Sequence, residues 1–257
     1  MASRSTGTAE PPSSNLRAFR RIAGLGLLFI ACIVPHLIAR ATGQSRWPRR
    51  FMRGAAWICG ADVSCDGAPA SAGTLLIANH SSWLDIPVLM AATGCAFVSK
   101  AEMRKNRPVR WFADQNDTIY VDRAAKRSIY AQAAALTDAL KRDKPVAIFP
   151  EGTVGDGGRL LPFKPALLSA VVPPPQGSVI RPAAIDYGAF ALKIGWGSEE
   201  AGITNALRVL GRKGRIPVTV HLLSPLPPSA DRKELARAAH DAIAAALAPS
   251  GIEPARL

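Results

Sequence analysis

A long apolar run extends from Ile22 to Ala39, and arginines border it on both sides. Its length is about that needed to cross a bilayer, although Pro35 and His36 interrupt the apolar pattern. The stretch that follows, residues 46–59, mixes arginine with tryptophan and phenylalanine, which is typical of helices in the interface of anionic membranes. The pattern predicts a membrane-associating helical segment over residues 16–60, either a monotopic hairpin or a single span. A buried helix of the soluble domain is the alternative.

From residue 61 onward, short apolar runs alternate with segments of helical periodicity. This alternation predicts an α/β domain over residues 61–257, with a mostly parallel central sheet flanked by helices and with ligands bound at the strand ends. Residues 1–15 are rich in serine, threonine and proline, which predicts a disordered tail. The predicted strands cover residues 74–78, 96–99, 118–121, 146–149, 179–185 and 218–223. The predicted helices cover residues 83–92, 110–114, 124–142, 165–172 and 232–247.

The net charge indicates the class of partner, and the cysteines indicate the cellular compartment. With 32 lysines and arginines against 19 aspartates and glutamates, the net charge is +13, so the partners should be anionic. Because the chain has no basic recognition helix, zinc-finger spacing or RNA-binding aromatic signature, we expect anionic membrane lipid and no nucleic acid. The four scattered cysteines predict no metal site and fit a reducing compartment. The expected location is the inner (cytoplasmic) membrane, facing the cytosol.

The candidate chemistry begins with the run A-N-H-S-S-W-L-D, residues 78–85, which follows a predicted strand and opens a helix. On one continuous helix His80 and Asp85 would diverge, because five residues rotate by about 140°. If Ser81 or Ser82 caps the helix, Asp85 falls in the first turn and its carboxylate reaches back to the imidazole. The spacing predicts a His-Asp dyad, in which Asp85 fixes the tautomer and the other ring nitrogen takes a proton. Helix capping without chemistry is the alternative.

Three further segments stand in or after predicted strands. In F-P-E-G-T, residues 149–153, Gly152 lets backbone amides approach a ligand and Glu151 can accept hydrogen bonds from hydroxyls. Arg123 follows an apolar run, where it can hold a phosphate bidentately or form a surface salt bridge. Pro182 within a strand-like run indicates an edge strand or a bulge.

Together the four segments resemble the lysophospholipid (glycerolipid) acyltransferase family, whose blocks read N-H-x4-D, an apolar run ending D-R, F-P-E-G-T and an apolar run with proline. The resemblance covers roughly residues 70–225. It implies an α/β domain preceded by membrane-binding helices, with His80 as general base and Asp85 as its partner. It also implies that the substrate is bound by Asn79, Lys100, Arg123, Glu151, Gly152, Thr153 and Pro182.

The resemblance implies transfer of a fatty acyl group to the free hydroxyl of a lysolipid, with no cofactor. The donor is an acyl thioester, of acidic acyl carrier protein or of coenzyme A, and the first expected acceptor is 1-acylglycerol-3-phosphate (lysophosphatidate). Family members acting on lysophosphatidate usually continue F-P-E-G-T with Arg-Ser, whereas Val154-Gly155 follows here. Lyso-ornithine lipid, an amino-acid lipid without phosphate, is therefore the alternative acceptor. Hydrolysis of thioesters or lysolipids is the alternative reaction.

Overall fold

The computed structural model describes residues 13–42, 46–121, 129–169, 172–197 and 199–255, so Arg123 and residues 1–12 of the predicted tail lie outside the described part. The helices are α1 (Asn15–Ala41), α2 (Trp47–Ile58), α3 (Asp85–Thr93), α4 (Arg107–Gln115), α5 (Ile129–Leu140), α6 (Ala191–Ile194), α7 (Gly202–Gly211) and α8 (Arg232–Leu247). The strands are β1 (Ala61–Asp66), β2 (Thr74–Ala78), β3 (Ala96–Lys100), β4 (Ile119–Val121), β5 (Val146–Ile148), β6 (Arg159–Leu160), β7 (Val179–Asp186), β8 (Ile216–Leu222) and β9 (Glu253–Pro254).

Seven strands form the central sheet, in the order β1-β8-β7-β2-β5-β3-β4. Every neighbouring pair in it is parallel except β7 and β8, which confirms the predicted α/β fold with a mostly parallel sheet. Strands β7, β2, β5, β3 and β4 all run in one direction, so the residues that follow them meet at one edge of the sheet. We call this edge the carboxyl edge, and it is where ligands bind in sheets of this type.

Helices cover both faces of the sheet, and strand β2 is buried on both sides. Leu76 and Ala78 join a core cluster with residues of α1, α2, α3 and α7. Leu75 and Ile77 point the other way, into a cluster with residues of α5 and α8. Burial on both faces explains why β2 is a continuous apolar run rather than an alternating one.

The N-terminal helices share the core of the α/β domain. Ala18 of α1 and Met52 and Ala56 of α2 are buried in the same cluster as the sheet residues. The Arg21 guanidinium donates to the carbonyl oxygens of Leu210 and Gly214, at 2.9 and 3.2 Å, and so ties α1 to the end of α7. The helical segment predicted over residues 16–60 is therefore packed firmly onto the domain.

Helix α1 is long and apolar enough to cross a membrane by length and composition, and its opposite face carries an exposed apolar stripe. At about 100° per residue, the stripe occupies a sector of roughly 100° and lies opposite the buried residues Ala18, Cys32 and His36. Its members are Leu16, Phe19, Leu27, Ile30, Val34, Leu37 and Ile38. Such a stripe on a soluble surface is unusual and marks a contact with lipid or protein.

Two sequence predictions are wrong in detail. Pro182 lies in an interior strand, between β2 and β8, and its register with β2 is unbroken. It is tolerated because β7 pairs with β8 only over Ala183–Asp186, beyond the proline. The helix predicted over residues 165–172 is, in its described part, only the 3₁₀ turn Pro165–Leu168, since three prolines follow from Pro173.

Candidate active site

His80 and Asp85 form the predicted dyad. His80 follows β2 at the carboxyl edge, and Asp85 begins α3 with its side chain fully buried. The imidazole Nδ1 lies 2.8 Å from the Asp85 Oδ2 atom. Because an ionised carboxylate only accepts hydrogen bonds, Nδ1 carries the proton. The Nε2 atom is then the basic nitrogen of the ring.

The Asp85 carboxylate also orders the turn between β2 and α3. Its Oδ2 atom accepts hydrogen bonds from the backbone amides of Ser81 and Ser82, at 2.7 and 2.9 Å. The expected first-turn position of Asp85 is confirmed, and the Ser82 Oγ atom accepts a hydrogen bond from the Leu84 amide at 3.3 Å, just before the helix begins.

Tyr187 is a member of the site that the sequence did not reveal. It directly follows β7, is almost completely buried, and donates its hydroxyl proton to the Asp85 Oδ1 atom at 2.7 Å. Burial, reinforced by the negative charge of Asp85, raises the pKa of Tyr187 well above its usual value. The phenol therefore stays protonated and remains a donor to the carboxylate.

Glu151 is buried against the backbone of the dyad. Its Oε1 atom accepts a hydrogen bond from the His80 amide at 2.7 Å. Burial raises the pKa of Glu151 well above its usual value, and the Asp85 charge adds to this, while the amide hydrogen bonds and Lys164 oppose it. The F-P-E-G-T loop is thereby fastened to His80, so one oxygen of this predicted acceptor-binding residue is occupied in positioning the base.

An aromatic stack supports the imidazole from one side. The His80 ring lies against the Phe149 ring with centroids 4.2 Å apart and planes 15° apart. Phe97 of β3 continues the stack, 5.9 Å from Phe149. The ring plane is therefore fixed by packing as well as by the hydrogen bond to Asp85.

Lys164 supplies a cation beside the F-P-E-G-T loop. Gly152 has a φ of +72°, and a Cβ atom placed there would lie 3.4 Å from the Lys164 ammonium nitrogen. Thr153 and Lys100 are exposed, the latter at the end of β3 on the carboxyl edge. Lys164 was missed because it lies thirteen residues beyond Glu151 in the sequence; the hydrogen bond of its backbone amide to the Pro150 carbonyl brings it back to the loop.

Two predicted substrate-binding residues occupy structural positions. The Asn79 amide donates to the Ile185 carbonyl oxygen at 3.1 Å and accepts from the Ile185 amide at 2.7 Å, which fastens β2 to β7. Pro182 is buried inside β7, four residues before that strand ends. Asn79 is thus a structural link between strands rather than a ligand-facing side chain.

A second loop closes over the dyad turn. The Trp196 amide donates to the Ser81 and Gly155 carbonyl oxygens at 3.3 and 3.0 Å, and the Gly155 amide donates to the His80 carbonyl oxygen at 2.8 Å. Gly195 permits this approach, because a Cβ there would lie 1.8 Å from the Asp156 carbonyl oxygen.

An ion pair between Arg208 and Glu200 stabilises the loop that contains Gly195 and Trp196. Arg208 binds the Glu200 carboxylate at 2.8 and 2.7 Å, and these contacts lower the pKa of Glu200 to about 2. Asn205 donates to the same carboxylate at 2.8 Å and to the Gly195 carbonyl oxygen at 3.0 Å. The downstream segment around Trp196 therefore braces the dyad turn.

The chain is similar in sequence to known acyltransferases. The Acyltransferase family model matches residues 62–186. A lyso-ornithine lipid O-acyltransferase from Pseudomonas aeruginosa is 33% identical over 193 residues, covering 72% of this chain and 72% of that protein. A 1-acyl-sn-glycerol-3-phosphate acyltransferase from Neisseria gonorrhoeae is 35% identical over 116 residues, covering 45% of this chain and 44% of that protein.

The fold is shared with a solved structure. The crystal structure of a 1-acyl-sn-glycerophosphate acyltransferase from Thermotoga maritima superposes with a TM-score of 0.68 at 18% identity. The match covers 94% of this chain and 97% of the other. It extends beyond the family model into the N-terminal helices, so the arrangement of helices and sheet is common to both proteins.

The geometry of Asn79 gives a test of its role. We expect Asn79→Ala to lower the free energy of unfolding by about 2–5 kcal/mol, because the Ile185 amide and carbonyl are left buried without partners. Denaturant unfolding in detergent measures this change. Asn106→Ala, which removes an exposed helix cap on α4, should cost only about 1 kcal/mol. Unchanged stability with lost catalytic activity would instead give Asn79 a direct role in substrate binding.

Proposed function

The chain belongs to the acyltransferase family and is an O-acyltransferase, and from this premise we propose that it esterifies the free hydroxyl of lyso-ornithine lipid in the membrane. The donor is a fatty acyl thioester of acyl carrier protein or coenzyme A. The observation that carries acyl transfer is the His80–Asp85 dyad at the carboxyl edge, supported by Tyr187 and held by Glu151.

The reaction needs one base that acts on the acceptor. The Nε2 atom of His80 removes the hydroxyl proton as the oxygen attacks the thioester carbonyl carbon, the C–S bond breaks, and the imidazolium returns the proton to the leaving thiolate. Asp85 stabilises the imidazolium and holds the tautomer. General base catalysis of this kind contributes on the order of 10²–10⁴-fold. Transfer from a thioester to an alcohol is downhill, so we propose that no cofactor takes part.

Two observations favour lyso-ornithine lipid as the acceptor. The lyso-ornithine lipid relative from Pseudomonas aeruginosa aligns over 72% of the chain, compared with 45% for the glycerophosphate relative from Neisseria gonorrhoeae. In addition, Val154 stands where the phosphate-directed arginine is expected. A single ammonium, that of Lys164, is suited to a carboxylate, whereas a phosphate dianion is better matched by an arginine fork. Lysophosphatidate is the second candidate, favoured by the F-P-E-G-T motif and by Lys100.

We further propose that the enzyme is monotopic, on the cytosolic face of the inner membrane. The apolar stripe of α1 is exposed along one side while the other side packs on the domain, which suits a helix lying in one leaflet better than a helix surrounded by lipid. Helix α2 contributes Arg50, which stacks on Trp47, and Arg53, and these cations match anionic lipid headgroups.

The dyad generates the first functional prediction. We expect His80→Ala to remove nearly all transfer, and Tyr187→Phe to lower kcat roughly tenfold with little change in KM, because one hydrogen bond to the Asp85 charge is lost. Initial rates with acyl-coenzyme A and lysolipid measure both effects. Tyr120→Phe removes a similar tyrosine–aspartate hydrogen bond, to Asp114, and should leave kcat unchanged. An active His80→Ala enzyme would refute the mechanism.

The acceptor is tested by direct competition between lyso-ornithine lipid and lysophosphatidate in mixed micelles. We expect the purified enzyme to consume lyso-ornithine lipid first, and a donor-only reaction to show little thioester cleavage. Lys164→Gln should raise the KM for lyso-ornithine lipid about tenfold, as expected for one lost charged hydrogen bond. Lys233→Gln, at an exposed position of α8, is the matched control. Consumption of lysophosphatidate alone would overturn the acceptor, and acceptor-independent cleavage would make the enzyme a hydrolase.

The apolar stripe of α1 gives a test of membrane attachment. Ile30 is 67% exposed, so Ile30→Glu should leave the fold intact. A carboxylate at bilayer depth costs about 2.5–3.5 kcal/mol, which predicts roughly a hundredfold loss of partitioning onto vesicles. Flotation with anionic liposomes measures it, and Ala245→Glu on the exposed side of α8 is the control. Equal flotation of both variants would show that α1 does not enter the bilayer.

A further inference from the structure

Ten consecutive residues, Glu102–Trp111, are exposed next to the site. They form a 3₁₀ turn and most of α4, and neither element buries a residue. Together with Lys100 and Ala101 before them, we call these residues the α4 surface. Short amphipathic elements usually bury one face, so an element with none buried has a face open to a partner.

The α4 surface is strongly cationic. Its cations are Lys100, Arg104, Lys105, Arg107 and Arg110, against the single acid Glu102. Arg104 stacks on Tyr120 at 4.9 Å, and Arg110 pairs with Asp114 at 3.5 Å. Within the described residues, Lys105 and Arg107 have no acidic partner within 4 Å. In this part of the chain no acid neutralises them, so both can attract an anion from outside.

Apolar side chains are interleaved with these cations. Met103 is 45% exposed, Val109 37% and Trp111 41%. Tryptophan, aliphatic residues and arginine on one short helix are typical of the headgroup region of a bilayer, where each finds its preferred depth.

Side-chain contacts join α4 to the membrane-facing helix α1. The Trp111 ring meets the Phe29 ring at 5.9 Å, and the His36 Nε2 atom lies 2.9 Å from the Gln115 Oε1 atom. Phe112 packs on Phe51 of α2 at 5.4 Å. The α4 surface is therefore continuous with the helices that we propose to lie in the leaflet.

The same surface begins at the carboxyl edge. Lys100 is the last residue of β3, and β3 lies two strands from β2, whose end carries His80. Two strand spacings amount to about 10 Å. A lipid headgroup resting on the α4 surface is thus close to the dyad.

We infer that the α4 surface is a second lipid-contacting element, which rests on anionic headgroups and delivers the lysolipid acceptor from the leaflet to the dyad. This inference rests on the proposed membrane association of α1. An acidic carrier protein would need only the cations of this surface. The exposed apolar side chains and the continuity with α1 therefore favour a lipid surface.

A depth-sensitive probe tests the contact without reference to activity. In a Cys65→Ser background, which removes the exposed cysteine, Val109→Cys is labelled with an environment-sensitive fluorophore. Binding to vesicles of equal parts phosphatidylcholine and phosphatidylglycerol should shift its emission to the blue, and brominated lipids should quench it. The same probe at Arg237→Cys, exposed on α8 across the sheet, should show neither change. Identical responses at both positions would overturn the inference.

Charge reversal tests delivery of the acceptor. Lys105→Glu with Arg107→Glu should raise the apparent KM for lysolipid in anionic vesicles about tenfold or more, since each cation near such a surface contributes severalfold to binding. The kcat in uncharged detergent micelles should be unchanged, and Lys233→Glu with Arg237→Glu should change neither value.

A defect seen with acyl carrier protein as donor but not with coenzyme A would make the surface a protein-docking site and overturn the inference. If the wild-type enzyme shows no transferase activity but the probe at position 109 is still quenched by brominated lipids, the proposed function is refuted and the lipid contact is supported.

Discussion

The site depends on how the buried charge of Asp85 is satisfied. A carboxylate removed from water is costly unless hydrogen-bond donors replace its hydration. Here the Nδ1 of His80, the amides of Ser81 and Ser82 and the hydroxyl of Tyr187 all donate to it. Three of these donors come from the turn after β2, and the fourth comes from the end of β7. One charge therefore fixes the turn, the neighbouring strand end and the orientation of the base, so the geometry of catalysis follows from solvation of a carboxylate.

The second buried carboxyl group, that of Glu151, is stabilised in its protonated form rather than as a charge. Glu151 is also buried, but burial together with the charge of Asp85 raises its pKa, so it is protonated more easily than an ordinary glutamate. Protonation would relieve repulsion between two buried acids while one Glu151 oxygen still accepts from the His80 amide. The two acids thus have separate tasks: Asp85 stabilises positive charge on the imidazole, and Glu151 holds the backbone of the base to the F-P-E-G-T loop.

Sequence reasoning found the parts of the site that are local. His80 and Asp85 stand five residues apart, and one turn brings them together, so their spacing was sufficient. Tyr187 lies more than a hundred residues from Asp85, and only the adjacency of β7 and β2 joins them. Strand β1 went unpredicted because an edge strand with one buried residue has no apolar pattern. Helix α7 went unpredicted because glycine stands at both of its ends.

The shared core has a consequence for how the enzyme meets its substrate. Ala18 and Met52 belong to the same buried cluster as the sheet, so no flexible linker separates the membrane-facing helices from the dyad. The distance between the leaflet and His80 is then set by packing. A lysolipid is itself confined to the leaflet by its acyl chain, so its hydroxyl is presented at a limited range of depths. Because folding has already fixed the height of the base and the leaflet confines the lysolipid, less orientational entropy is lost when the two meet. The arginines of α1 and α2 and the cations of the α4 surface lie on this one body and supply most of the net charge of +13.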